Sequence, residues 1–167
     1  MIQLETTRLR LRNYNRKELD ELSANRNDER CARFQRWTPK DTQREELAEM
    51  IENSKNCSLL KTGKQQFAIA LKEGNALVGD VTLFLEEPTI TLGYTVSYRY
   101  QRQGYAFEML SALTERLHDL YPKRELICLV EPDNAASLGL LKKLGFEDLG
   151  YAEKIKSQVY GKWALPE

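Results

Sequence analysis

Gln101-Arg102-Gln103-Gly104-Tyr105-Ala106 is the stretch on which the reading of this chain turns. A strand-like run over residues 89–96 feeds it, and a helical pattern leaves it. A helix N-terminus carries backbone N–H groups without intrahelical partners, and its dipole favours an anion beside them. Gly104 allows the backbone to approach a ligand closely, and the small side chain of Ala106 leaves room for one. A phosphate or pyrophosphate suits such a turn. The loop is not a P-loop, because no Gly-Lys-Ser/Thr follows, nor is it the three-glycine dinucleotide fingerprint. Taken alone, it reads equally well as an ordinary strand-to-helix turn.

Downstream, residues 104–120 place Met109, Leu110, Leu113 and Leu117 on one helical face, and Pro122 closes the run. Residues 126–130 read as a short apolar strand, and residues 134–144 as a helix stopped by Gly145, a residue suited to the left-handed position after a helix end. Two further strands fill 146–155 and 157–164. Upstream, residues 66–72 and 76–85 form a hairpin across Glu73-Gly74-Asn75, and Glu86-Glu87-Pro88 turns the chain into residues 89–96. The opening Thr7-Arg8-Leu9-Arg10-Leu11-Arg12 alternates charged and apolar side chains like a half-buried strand. Asn15 is placed to cap a helix over about residues 16–26, and Leu47, Met50 and Ile51 mark a second helix. The fold class expected is α/β (α+β): a mixed, mostly antiparallel sheet of about six to seven strands with helices on both faces. No repeat or linker interrupts residues 1–167, so a single domain is expected.

Composition narrows the partners. Hydrophobic residues make up 41% and charged residues 30%, which is a globular profile. Lys plus Arg and Asp plus Glu are both 25, and this balance argues against nucleic acid as the main partner. No signal peptide or membrane span is legible, so no membrane association is expected. Cys31, Cys57 and Cys128 fit neither a disulfide framework nor a zinc site. Free thiols and a cytoplasmic, reducing location are the expectation, with no metal.

About 30 residues beyond the glycine loop, Asn134-Ala135-Ala136-Ser137 leads into Lys143-Leu144-Gly145-Phe146. With this second motif the chain resembles the GCN5-related N-acetyltransferase (GNAT) superfamily, across nearly its whole length. Leu4-Glu5-Thr6-Thr7-Arg8-Leu9-Arg10-Leu11-Arg12 and Leu92-Gly93-Tyr94-Thr95-Val96-Ser97 look like the branch of ribosomal-protein N-terminal acetyltransferases. The resemblance implies a GNAT fold and an acetyltransferase that takes its acetyl group from acetyl-CoA. The acceptor would be a primary amine, either a protein N-terminal α-amine or a small molecule. A non-catalytic acyl-CoA-binding sensor or assembly subunit is the alternative, and pairing of edge strands leaves a homodimer open.

By the same resemblance, Val96 and Ser97 would meet the pantetheine arm in a splayed part of the sheet. Gln101, Arg102, Gln103, Gly104, Tyr105 and Ala106 would hold the pyrophosphate, and Asn134, Leu141 and Lys143 would border the cofactor from the last helix. Many relatives carry a Tyr seven residues after the Asn; here that position is Leu141, and Ser137 is the substitute proton donor. Glu86 is named as a base, against its ordinary reading as a solvated turn residue, as for Glu87 and Asp80. His118 reads as a cation at a helix C-terminus. Phe34, Trp37 and Tyr14 either line the acceptor pocket or pack in the core.

Overall fold

A computed structural model describes residues 1–166. Eight strands form one sheet: β1 (Ile2–Glu5), β2 (Leu9–Arg12), β3 (Gly63–Leu71), β4 (Leu77–Leu85), β5 (Thr89–Val96), β6 (Glu125–Val130), β7 (Glu147–Ala152) and β8 (Ser157–Lys162). Their order is β1-β2-β3-β4-β5-β6-β8-β7. Neighbours are antiparallel except β5 and β6, which run parallel. The strand beyond the expected six to seven is β1. It has four residues and a register irregularity against β2, too little to leave a periodic signal.

Among the described residues there are five α-helices: α1 (Leu19–Asn27), α2 (Glu29–Ala32), α3 (Arg44–Asn53), α4 (Tyr105–Leu120) and α5 (Ala135–Lys143). Asn15 does cap the first of these segments: its side chain accepts from the Lys17 N–H, and Glu18 reaches back to it. That first turn is a 3-10 helix, and α1 starts after it. On one face of the sheet, Met109, Leu110, Leu113 and Leu117 of α4 are fully buried in one core with Val81, Leu83, Ile90 and Leu92. Each such side chain contributes about 1.5–3 kcal/mol of transfer free energy. Packing of this size fixes where the N-terminus of α4 sits. The other face packs Leu22 of α1 and Leu47 and Ile51 of α3 against Ala68 and Leu77. Among the described residues, no helix is long and apolar enough to cross a membrane.

One irregularity positions everything that follows. The ladder between β5 and β6 holds only from Thr89–Glu125 to Thr91–Ile127. Beyond it, β5 stays with β4 up to Val96, while β6 stays with β8 up to Val130. Two half-sheets therefore diverge, and a wedge-shaped gap opens between Leu92–Val96 and Cys128–Val130.

Candidate active site

The edge that β5 presents to the gap follows from its register. The Ser97 N–H donates to the Val78 carbonyl at 2.8 Å. In an antiparallel ladder alternate residues bond to the same neighbour, so the backbone groups of Tyr94 and Val96 face away from β4, into the gap. The Val96 carbonyl accepts from the Gln101 side-chain amide at 3.0 Å, and the Tyr94 carbonyl from Gln35 at 3.5 Å. Of the two residues expected to meet the pantetheine, Val96 faces the gap, whereas buried Ser97 turns its N–H to β4.

At the mouth of the gap lies the glycine loop. Arg102 has φ +62° and Gly104, the N-cap of α4, φ +80°. Left-handed residues in such a turn direct successive N–H groups toward one concave side. Gln101, Arg102, Gln103 and Gly104 are exposed, and Tyr105 and Ala106 open the first turn of α4 half-buried. Arg8, just before β2, braces this loop. Its guanidinium donates to the Gln103 carbonyl at 3.1 Å and to Glu108 at 2.7 Å, and lies 4.4 Å from the centre of the Tyr105 ring. On the other bank, the exposed Lys143 sits 4.2 Å from the centre of the Phe107 ring and ties α5 to α4.

Across the gap, the Tyr94 hydroxyl and Ser137 Oγ are 2.5 Å apart. The Ser137 N–H donates to the Asn134 side chain at 3.2 Å, so Asn134 caps α5 and fixes the turn that carries Ser137. Burial pushes the Tyr94 phenol up to about 12, against the opposing pull of its bond to Ser137. Tyr94 was missed in the sequence because Leu92-Gly93-Tyr94 alternates like any core strand. The signal that finds it is spatial: it lies beyond the last β5–β6 pair.

Two expected site residues are not brought to the gap. Leu141 is fully buried in the core shared with α4, so it is a packing residue and not a cofactor contact. Glu86 is exposed in the turn after β4, next to the Leu85–Ile90 pair, whereas the gap opens at the other end of the hairpin, beside Gly79–Val96. Six residues of strand, roughly 20 Å, separate the two ends. Asp80 is at the correct end, but it is buried and holds Arg26 at 2.8 Å. His118 is held below its usual value, chiefly by burial and then by Lys162, so it is neutral near pH 7 and not the helix-end cation expected.

On the α1–α3 side of the sheet, the gap is flanked by a cavity of about 550 Å³. Phe34, Trp37, Phe84 and Leu129 supply its apolar walls, with Asp41, Glu46 and Glu131 as acids and Arg26, Arg36 and Lys64 as bases. Tyr14 belongs to the core instead. Arg36 spans the cavity: it donates to Glu131 and to the carbonyls of Ile155 and Lys156 and the hydroxyl of Ser157, linking the α2–α3 loop to the β7–β8 turn. Of the acids on α3, Glu46 and Glu49 line this cavity or the adjoining one of about 360 Å³, while Glu52 pairs with Arg16 and Lys55. Among the described residues, no group of three or more His, Cys, Asp or Glu side chains is arranged to hold a metal ion.

Residues 8–147 match the model of the acetyltransferase (GNAT) domain family. A curated relative, an uncharacterised N-acetyltransferase of Bacillus subtilis named YnaD, is 26% identical over 92 residues, and the match spans about half of each chain, 54% of both. Solved structures share the fold. A GNAT-family acetyltransferase of Bacillus anthracis superposes with a TM-score of 0.79 at 18% identity, over 98% of both chains. RimL, a ribosomal-protein alpha-N-acetyltransferase solved with coenzyme A, gives 0.80 at 17% identity, also over 98% of both. RimJ of Mycobacterium smegmatis, solved with a coenzyme A disulfide, gives 0.79 at 16%, over 95% of this chain and 84% of that one. At these identities the likeness is one of fold.

Proposed function

This chain belongs to the GNAT acetyltransferase family, whose members take the acetyl group from acetyl-CoA, and on that premise we propose that it acetylates a primary amine by direct attack on the thioester. The observation that carries the reading is the splayed edge at Tyr94 and Val96, opened between a phosphate-type loop at one end and a walled cavity on the other face. The pantetheine would bond the Tyr94–Val96 edge like an added strand, displacing the Gln101 amide from the Val96 carbonyl. The loop from Gln101 to Ala106 would take the pyrophosphate, with Arg102 and Lys143 adding positive charge and Asn134 ordering the start of α5.

In the chemical step the neutral amine attacks the thioester carbon, and the developing oxyanion meets the Val96 N–H. The C–S bond then breaks. The departing thiolate takes a proton from Ser137, and the amine nitrogen loses its proton to water. A thiol with a free pKa of ~8.5 leaves without a strong acid, which is why a serine suffices where other relatives have a tyrosine.

Asp80 beside the gap and Glu131 in the cavity are each held by an arginine, and energetics indicate which acceptor tolerates that. Holding a lysine-type amine (pKa ~10.4) neutral at pH 7 costs about 4.6 kcal/mol, whereas an α-amine near 8 costs about 1.4. A peptide α-amine is therefore the acceptor favoured, entering through the cavity of Phe34 and Trp37. RimL, one of the fold neighbours, is itself an alpha-N-protein acetyltransferase. Free-thiol release from acetyl-CoA over a panel of peptides and small amines tests the proposal. Release with α-amine peptides is expected; acetyl-CoA binding without release on any acceptor would instead favour a sensor.

A further inference from the structure

The Tyr94 side chain is half-buried, its hydroxyl is 2.5 Å from Ser137 Oγ, and the bond crosses the gap from β5 to α5. The Ser137 backbone N–H is already committed to Asn134. The serine is thus fixed from two sides, through its main chain by Asn134 and through its hydroxyl by Tyr94. The other titratable group beside the phenol is the Cys128 thiol on β6, which burial keeps protonated at neutral pH.

A hydroxyl has one hydrogen to give. If Ser137 donated to Tyr94, it would have none for sulfur. Either hydroxyl can donate across this contact; the phenol keeps its proton at neutral pH, so Tyr94 has a hydrogen to give to Ser137. That direction leaves the serine hydrogen free to turn into the gap.

We propose that Tyr94 is a positioning residue for acetyl transfer: by donating to Ser137 Oγ it aims the serine hydrogen at the coenzyme A sulfur, so that the two hydroxyls act as one unit. The inference rests on the acetyl-transfer reading. The phenol keeps its own proton. When the C–S bond breaks, the electron pair stays on sulfur and the Ser137 hydrogen stabilises it or moves to it, the serine being reprotonated from water.

The test combines two readouts on the whole chain. In steady state, Tyr94→Phe, which keeps the ring, should lower kcat on the order of tenfold with the KM for acetyl-CoA unchanged, the size of one hydrogen bond to a developing charge. Ser137→Ala should do at least as much, and the double variant should be no slower than Ser137→Ala alone. Ser137→Thr, which restores a hydroxyl, should recover part of the loss. Additive effects, or an unchanged kcat in Tyr94→Phe, would overturn the proposal. The second readout needs no acceptor: the affinities of coenzyme A and its desulfo analogue, compared between about pH 7 and pH 10, report the ionisation of the bound thiol around its free value of ~8.5. The bound thiol should ionise lower in the wild type than in either single variant. Identical profiles in the three proteins would overturn the positioning role while leaving the acetyl-transfer reading intact. Failure of the wild type to bind coenzyme A would remove both.

Discussion

Ser137 and Leu141 stand one turn apart on the same face of α5, and they have different surroundings. Ser137 lies over the part of the sheet that has already splayed, so its hydroxyl bonds to Tyr94 of β5. One turn later the helix passes over closed core, and Leu141 disappears into it. Spacing along a helix is readable from sequence, but the place where the sheet beneath it opens is not, because that depends on pairing between strands far apart in the chain. The same limit explains Glu86, an acid in a turn whose distance from the gap is set entirely by hairpin register. Leu141→Ala should therefore cost about 2–5 kcal/mol of stability in denaturant unfolding, as a core truncation does, with the KM for acetyl-CoA nearly unchanged. A large rise in that KM at normal stability would restore the residue to the cofactor site.

At the scale of elements, α4 was the most legible part of the chain. Its apolar stripe repeats at helical spacing over four buried positions, and Gly104 marks its start. The structure adds a reason for that glycine beyond room for a ligand: its φ of +80° is one that other residues adopt only under strain. Gly104→Ala should raise the KM for acetyl-CoA several-fold while kcat changes little, for a backbone cost of about 1 kcal/mol. Equal loss in kcat would mean that the loop shapes the reacting end of the site as well.

The bridge made by Arg36 was not legible, because its four partners come from the β6 end and the β7–β8 turn, about 95 to 121 residues away. As the strap across the cavity, it should govern the acceptor and not the donor. Arg36→Ala should raise acceptor KM roughly tenfold, the loss of one or two charge-assisted bonds, and leave the KM for acetyl-CoA alone. The opposite pattern in the kinetics would show that the cavity is not the acceptor's route.

For the molecule as a whole, the N-terminal hairpin is tied to the first turn of α4 by the Glu108 carboxylate, beside the bond from Arg8 to the Gln103 carbonyl. Burial of Glu108 acts to raise its pKa, but bonds from the Thr6 hydroxyl and from the Arg8 guanidinium and backbone outweigh it, and the net shift is downward. A carboxyl held below its unfolded value stabilises the fold above that value, and the contribution is lost as pH falls through the folded one. Taking the unfolded Glu at ~4.3, the wild type should lose more stability between about pH 6 and pH 3 than Glu108→Gln does. Parallel unfolding midpoints in the two proteins would show that the tether contributes nothing.

The fold class, the order of elements and the family were legible at this scale because they rest on periodicity, punctuation and paired motifs. The gap itself was only implied by resemblance; in the structure it has definite limits, Thr91–Ile127 on one side and Tyr94–Ser137 across it. That the donor lies along this edge is the claim on which the rest depends. Amide hydrogen exchange with and without coenzyme A tests it residue by residue. Protection should rise at the N–H groups of Tyr94 and Val96 and at those of the loop from Arg102 to Ala106, with Thr95 and Ser97, already facing β4, unaffected. Bound coenzyme A that left the Tyr94 and Val96 amides exchanging as before would contradict the account.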